Sequence, residues 1–194
     1  MRIISGIARG RRIQVPATND VRPTTDRVRE ALFSHLGHRI PGSRALDLFA
    51  GSGALGLEAL SRGALSATFV EQSRAIYSCL ANNINTLGFA KMSSLHMGDA
   101  LKWLKKPATG GLAFDLIFLD PPYHLGLLAP VLGEIARHRW LTPEGLIITE
   151  HSAAPAESRF DIPAELQIVR TRQYGKTAVT TLTWMATPND VPSR

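Results

Sequence analysis

A strand–helix alternation constrains the fold of this 194-residue chain more than any other feature. Five short apolar runs, separated by helical patterns and turns, cover residues 45–49, 67–70, 95–97, 114–119 and 146–150. Such runs predict strands buried on both faces of a parallel sheet. Two further runs, at 166–171 and 178–185, are close enough to form a hairpin. We therefore predict an α/β fold with a mostly parallel seven-stranded sheet, one antiparallel strand and helices on both faces.

The first 43 residues precede this alternation and differ from it in charge. Residues 1–44 hold nine Lys or Arg against three acids, whereas the rest of the chain is neutral overall. Two β-rich pieces around Arg9 predict a small hairpin, and the spacing that follows Asp26 predicts a helix. We predict a basic hairpin-and-helix appendage at 1–43, a main domain at 44–185 and a disordered tail at 186–194. The concentrated positive charge predicts contact with a polyanion such as RNA.

The composition indicates the cellular compartment of the chain and disfavours membrane and metal binding. Cys79 is the single cysteine, so no disulfide forms within the chain. No apolar run approaches the roughly 20 residues that cross a bilayer. The six histidines lack metal-ligand spacing, and one cysteine cannot build a zinc site. We expect a cytoplasmic monomer that contacts no membrane and binds no metal.

A glycine-rich turn predicts a nucleotide cofactor. Gly51-Ser52-Gly53-Ala54-Leu55-Gly56 fits G-x-G-x-x-G between a strand and a helix, and Glu71 follows at the end of the next strand. Glycines of this pattern admit a cofactor close to the backbone, and the acid accepts hydrogen bonds from ribose hydroxyls. The competing interpretation is a tight turn in a generic α/β fold.

Asp47 distinguishes between cofactors, because it ends the strand before the glycine turn. A carboxylate there would repel the pyrophosphate of NAD and disfavours an NAD-dependent oxidoreductase. S-adenosylmethionine carries a sulfonium, an ammonium and no phosphate, so it suits the site better. Asp47 could also bond the amides of the glycine turn. Asp99, after the third strand, could reach the adenine amino group or cap the helix that starts at Ala100.

Asp120-Pro121-Pro122-Tyr123 follows the fourth strand and predicts the acceptor site. Proline lacks an N–H and keeps the preceding residue out of the helical region, so the turn is stiff. Asp120 and the Pro121 carbonyl could accept hydrogen bonds from an exocyclic amine, while Tyr123 stacks on the base. An ordinary rigid turn remains the alternative. The combination with S-adenosylmethionine predicts methyl transfer to an amino-bearing base.

Three segments resemble a known family. LDLFAGSGALGLEAL at 46–60 and DPPY at 120–123 resemble the class I, Rossmann-like methyltransferases that modify exocyclic amines. RPTTDRVREALF at 22–33 resembles the RsmD family, which methylates N2 of a guanine in bacterial small-subunit (16S) ribosomal RNA. Such enzymes often have Phe in the place of Tyr123, which keeps a ring for stacking.

The resemblance implies three sets of site residues. The implied catalytic residues are Asp120, Pro121, Pro122 and Tyr123. The implied cofactor-binding residues are Asp47, Phe49, Gly51, Gly53, Glu71, Gln72, Asp99 and Ala100. For RNA binding, the resemblance implies the segment with Arg22, Thr25, Arg27 and Arg29 beside the pocket, and the charge distribution adds Arg9, Arg11 and Arg12 of the basic hairpin. The small surface favours a structured or protein-bound RNA, such as that of a 30S subunit or an assembly intermediate.

Two rival functions share these features. A DNA adenine-N6 or cytosine-N4 methyltransferase also carries DPPY, but compact fold elements leave no room here for the sizeable target-recognition segment that such enzymes usually have. A non-catalytic RNA-binding factor for ribosome assembly would need no methyl donor, yet every expected site position is filled. We therefore expect an active RNA methyltransferase.

Overall fold

A computed structural model of the chain describes residues 1–15, 26–105, 113–122, 125–154 and 160–186. Arg22, Thr25 and Tyr123 lie outside these ranges, so the predictions made for them stay predictions. The same holds for nearly all of the predicted tail.

Seven strands form one sheet in the order β3-β2-β1-β4-β5-β7-β6. The first four neighbour pairs are parallel, and β7 runs antiparallel to both β5 and β6. The prediction of a mostly parallel seven-stranded sheet with one antiparallel strand is confirmed. The strands are β1 (Arg44–Asp47), β2 (Ser66–Glu71), β3 (Ser93–Met97), β4 (Phe114–Leu119), β5 (Leu141–Ser152), β6 (Leu166–Tyr174) and β7 (Thr177–Trp184).

Helices cover both faces of the sheet, as predicted. They are α1 (Asp26–Leu36), α2 (Ala54–Ser61), α3 (Arg74–Leu87), α4 (Ala100–Leu104) and α5 (Leu128–His138). Apolar side chains of α1, α2 and α3 pack into one core with alternate residues of the sheet, such as Phe69 and Phe118. Side chains of α4 and α5 form a second core on the other face with Leu46 and Ile117. In the part of the chain that the structure describes, no helix combines the length and the apolar character needed to cross a bilayer.

Residues 1–15, which we term the N-terminal ribbon, form less regular structure than the predicted hairpin. One antiparallel bridge joins Arg2 to Arg12, and the Ile3 N–H donates to the Arg11 carbonyl at 2.9 Å. Ile3, Ala8 and Ile13 are at most 3% exposed and belong to the same core as α1 and the sheet. The ribbon is therefore integral to the main fold, although its sequence suggests an appendage.

Helix α2 anchors this ribbon. The Glu58 carboxylate is fully buried and accepts hydrogen bonds from the N–H groups of Ile4, at 2.8 Å, and Ser5, at 3.0 Å. Gly6 passes so close to the end of α2 that an added Cβ would lie 1.7 Å from the Ser61 carbonyl oxygen. Helix α2 also begins at the glycine turn. One end of this helix therefore borders the predicted cofactor site, and its other end holds the basic ribbon.

Candidate active site

Parallel register brings the predicted acids to one edge of the sheet. Asp47, at the end of β1, pairs with Phe69 of β2 on one side and Phe118 of β4 on the other. Glu71 and Asp120 each lie two residues beyond those partners. At 3.3 Å per residue, both acids therefore sit about 7 Å past Asp47 in the strand direction.

Strand β3 extends the same line of acids. Glu71 pairs with Met97, and Asp99 follows two residues later. The edge thus carries acids from β3 to β4, and β1 and β4 flank the point where the strand order reverses. Open α/β sheets bind ligands at such a point, outside the carboxyl ends of their strands.

The three glycines of the turn have different roles. An added Cβ at Gly53 would lie 2.4 Å from Leu80 of α3, and one at Gly56 would lie 2.3 Å from the Phe69 ring. These two positions need glycine because helices and sheet pack tightly around them. Gly51 has φ +54° and meets nothing closer than 3.9 Å, so its Cα faces open space. That open backbone is the surface to which a cofactor can approach closely.

Asp47 is held inside the protein rather than at its surface. It is 2% exposed, and its Oδ2 accepts a hydrogen bond from the Gly56 N–H at 3.0 Å. Burial raises the pKa of Asp47 to about 7; the Gly56 hydrogen bond opposes this rise and the nearby Glu71 charge adds to it. Any cation bound at this edge would favour the ionised carboxylate. Asp47 therefore organises the turn and provides a negative site that responds to a positive ligand.

Glu71 ties the glycine turn to the next strand. It is 8% exposed, and its two oxygens accept hydrogen bonds from the N–H groups of Gly51, at 3.0 Å, and Ser73, at 2.7 Å. Each carboxylate oxygen retains a further acceptor direction, which suits vicinal ribose hydroxyls. Ser73 holds the N-cap position of α3, but its side chain makes no capping bond there.

The remaining predicted cofactor residues lie around these acids. Asp99 caps α4, since its Oδ1 accepts a hydrogen bond from the Lys102 N–H at 2.8 Å. Its capping role is thus real, and its second oxygen leaves room for contact with a ligand. Ala100 is buried, Gln72 is exposed, and Phe49 packs half-buried against the core formed with α4 and α5.

The described part of the acceptor turn, residues 120–122, follows β4 without helical or strand structure. Asp120 is half-buried, Pro121 is buried and Pro122 is exposed. The Pro122 carbonyl accepts a hydrogen bond from the Leu125 N–H at 3.2 Å, so this carbonyl is engaged within the protein. Asp120 and Pro121 directly follow β4, the strand that pairs with β1.

Comparison with known proteins identifies the family of the chain. The model of the family described as Conserved hypothetical protein 95 matches residues 1–183. A relative from Escherichia coli K12, "Ribosomal RNA small subunit methyltransferase D", is 39% identical over 178 residues, or 92% of this chain and 87% of its own length. The chain belongs to the RsmD family. Family membership, which the motifs predict, is confirmed.

Further RsmD-family matches extend over most of the chain. The Haemophilus influenzae protein with the same name is 40% identical over 77% of this chain and 78% of its own length. The solved structure of the yhhF protein of Escherichia coli is 39% identical and superposes with a TM-score of 0.82, covering 96% of this chain and 99% of that one. The Rossmann-like fold predicted from the motifs is thereby confirmed.

The basic residues of the RsmD-like N-terminal region divide into exposed and engaged groups. Arg9, Arg12 and Arg27 are exposed. The Arg11 guanidinium donates hydrogen bonds to the carbonyls of Thr86 and Leu87 at the carboxyl end of α3, and the bond to Leu87 is 3.0 Å long. Arg11 therefore caps a helix with its charge, as cations commonly do at that end.

The RNA-binding role predicted for Arg29 is not supported by its position. Its side chain is fully buried and donates hydrogen bonds to Asp26, at 3.0 Å, to the Met1 sulfur, at 2.8 Å, and to the Arg2 carbonyl. Burial lowers the pKa of Arg29, while the charges of Glu58 and Asp26 oppose that change. Arg29 joins α1 to the start of the N-terminal ribbon. Charge counting places it with the RNA contacts because a helical arginine in a basic segment gives no sign of burial.

Sequence reasoning misses Asn83, a buried residue of α3 that links two parts of the site. Its Nδ2 donates to the carbonyls of Gln14, at 2.9 Å, and Ser52, at 3.0 Å, while its Oδ1 accepts from the Gln14 N–H at 2.8 Å. The glycine turn and the end of the N-terminal ribbon therefore share one side chain. The available signal was a polar residue at helical spacing within the apolar stripe formed by Leu80 and Ile84.

Proposed function

We propose that this chain transfers a methyl group from S-adenosylmethionine to the exocyclic N2 amine of a guanine in small-subunit ribosomal RNA. The observation that carries this proposal is the convergence of Asp47, Glu71 and Asp99 beside the open backbone of Gly51, with Asp120 on the neighbouring strand. The names of the RsmD-family relatives support ribosomal RNA as the substrate class.

The donor set fits S-adenosylmethionine. Glu71 can accept hydrogen bonds from the ribose hydroxyls, and Asp99 can accept one from the adenine amino group. A positively charged ligand favours the ionised form of buried Asp47, whereas a pyrophosphate would meet two carboxylates, Asp47 and Glu71. The open side of Gly51 admits the ligand without a side-chain clash. When bound, this cofactor supplies an electrophilic methyl group at its sulfonium.

Asp120 and Pro121 act on the acceptor amine. The lone pair of an exocyclic amine is delocalised into its ring, which makes the nitrogen a poor nucleophile. Hydrogen bonds from its N–H groups to the Asp120 carboxylate and the Pro121 carbonyl would orient the amine and favour a more pyramidal nitrogen. Proximity and alignment then lower the barrier more than a strong base would, because the methylated ammonium releases a proton readily.

The target base must leave its stack to reach this edge, since the acceptor turn lies at the end of a central strand. An unpaired or flipped nucleotide meets that need. Stacking on Tyr123, a prediction from sequence, would contribute about 1–3 kcal/mol.

The test is a labelled methyl-transfer assay on total RNA from a strain that lacks the protein, followed by nucleoside analysis. We expect wild type to form N2-methylguanosine and Asp120→Ala to lose transfer while it binds S-adenosylmethionine normally in isothermal titration. Asp161→Ala, which removes an exposed acid elsewhere, is the matched control and should behave as wild type. Transfer retained by Asp120→Ala would refute the catalytic assignment, and methylated adenine or cytosine would refute the choice of guanine.

A further inference from the structure

A basic groove lies between α1 and the edge of the sheet, away from the residues discussed above. His35 of α1 and Arg170, Arg172 and Tyr174 of β6 line it, and we term these four residues the α1–β6 groove. The count of charges along the sequence gives residues 45–194 no net charge. The fold nevertheless concentrates two arginines of that neutral part beside α1.

A β-bulge in β6 creates this arrangement. Ile168 pairs with Leu182, whose side chain belongs to the core formed with α4 and α5. The register then shifts by one residue, so that Arg172 pairs with Val179, a member of the opposite core. If Val169 paired regularly with Thr181 instead, strand alternation would turn Arg170 and Arg172 away from α1. Bulges that redirect side chains are common next to functional sites.

The groove holds positive charge that no carboxylate among the described residues pairs with. Within the described ranges, no carboxylate forms an ion pair with Arg170 or Arg172. The Arg170 Nη1 instead donates to the His35 Nδ1 at 2.7 Å. Desolvation and the charges of both arginines lower the pKa of His35, so the ring stays neutral and accepts this bond. Two guanidinium groups held side by side without an acid suit an anionic ligand with several oxygen acceptors.

One end of the groove lies at the same edge of the sheet as the candidate active site. Tyr174 ends β6 opposite Thr177, which pairs with Ser152 at the carboxyl end of β5. This is the edge of the sheet at which Asp120 follows β4. Arg172 and Arg170 lie two and four residues from Tyr174, so the positive charge extends about 7–13 Å from that edge. A strand of nucleic acid whose target base enters the active site could continue along it.

We propose that the α1–β6 groove binds the phosphodiester backbone of the substrate RNA next to the target nucleotide. The identity of the polyanion as RNA rests on the proposed function. The guanidinium groups of Arg170 and Arg172 bond phosphate oxygens, and the half-buried Tyr174 ring offers an apolar surface beside them. Backbone contacts of this kind set the position of the RNA without reading its sequence.

The test compares two double variants of equal charge. R170Q/R172Q removes the groove arginines, and K91Q/R137Q removes two exposed basic residues outside the groove. Binding of in-vitro-transcribed 16S RNA is measured between 50 and 300 mM salt. Two lost phosphate contacts should reduce the magnitude of the slope of log association constant against log salt concentration by about 1.4–1.8, and only in the groove variant. The KM for RNA should rise at least tenfold with kcat retained, and R170K/R172K should restore the slope.

Two readouts separate this inference from the proposed function. Affinity for S-adenosylmethionine, measured by titration, verifies that each variant is folded. Equal slopes and KM values in R170Q/R172Q and K91Q/R137Q would overturn the groove, as would a slope lost equally in R170K/R172K. If wild type forms no methylated guanosine but the slopes differ as expected, the proposed function fails and the groove stands.

Discussion

Asp47→Asn tests the electrostatic character of the site. The substitution removes the ionisable group of Asp47 but keeps an oxygen that can accept the hydrogen bond from the Gly56 N–H. Size and packing change little, so any pH-dependent difference in stability between the two proteins reports the buried carboxylate.

The magnitude follows from the pKa of Asp47. Burial raises it from 3.8 to about 7. Between these values the folded protein holds a proton that the unfolded chain has released, so stability falls as pH rises through this window. With 1.36 kcal/mol per unit, the wild type loses about 2.5 kcal/mol between pH 5 and pH 8 from this residue. The asparagine variant lacks this loss, and its stability relative to wild type should therefore increase by that amount.

Urea unfolding of both proteins at pH 5 and pH 8 measures this difference. The free energy of unfolding is extrapolated to water at each pH, and the variant-minus-wild-type value is compared. Titrations of other groups cancel in that comparison because both proteins contain them. A value that is the same at both pH values would show that Asp47 ionises normally in the folded protein and would refute the argument.

Two further comparisons separate binding roles from structural ones. Gly56→Ala should cost about 1–3 kcal/mol of stability, because the added methyl group overpacks against Phe69. Gly51→Ala should cost about 1–2 kcal/mol of stability, because its backbone is left-handed, and it should also weaken S-adenosylmethionine binding at least tenfold in titration. Normal binding by Gly51→Ala would contradict the role of Gly51 as an open backbone surface for the cofactor. Arg29→Gln should lower the free energy of unfolding in urea by about 2–4 kcal/mol, because it removes a buried and bonded charge. Arg27 is exposed, so Arg27→Gln should leave stability unchanged and reduce the slope of log association constant for RNA against log salt concentration by about 0.7–0.9. The reverse pattern would restore Arg29 as an RNA contact.

The sequence predicts the sheet and its cofactor edge well because their signals are local. An apolar run predicts a strand without knowledge of its partners, and Gly51 to Gly56 form a motif within six residues. Parallel connections then place the strand ends at one edge, which brings Asp47 and Glu71 together. The family resemblance adds the choice of a guanine in ribosomal RNA.

Residues whose roles depend on distant parts of the chain were not predictable. Glu58 looks like a solvated helix residue, yet it accepts hydrogen bonds from Ile4 and Ser5, more than 50 positions earlier. Arg170 faces α1 because the register of β6 shifts at Val169, and an irregular strand pairing leaves no mark in the hydrophobic pattern. The environment of Glu58 and of Arg170 depends on contacts with distant parts of the chain. The alternation of apolar and polar residues along one segment carries no information about those contacts.

The structure of the N-terminal ribbon changes how its positive charge is interpreted. Its arginines suggest a detachable RNA-binding arm, but Ile3, Ala8 and Ile13 fill the main core, so deletion would remove part of that core with the charge. Substitution of exposed Arg9 and Arg12 isolates the charge instead. Asn83 joins the end of the same ribbon to the glycine turn, so the residues proposed to contact RNA and those proposed to contact the cofactor are held by one side chain. The ribbon is bonded to α1 through Arg29, to α2 through Glu58 and to α3 through Asn83, and of these helices α2 begins at the glycine turn.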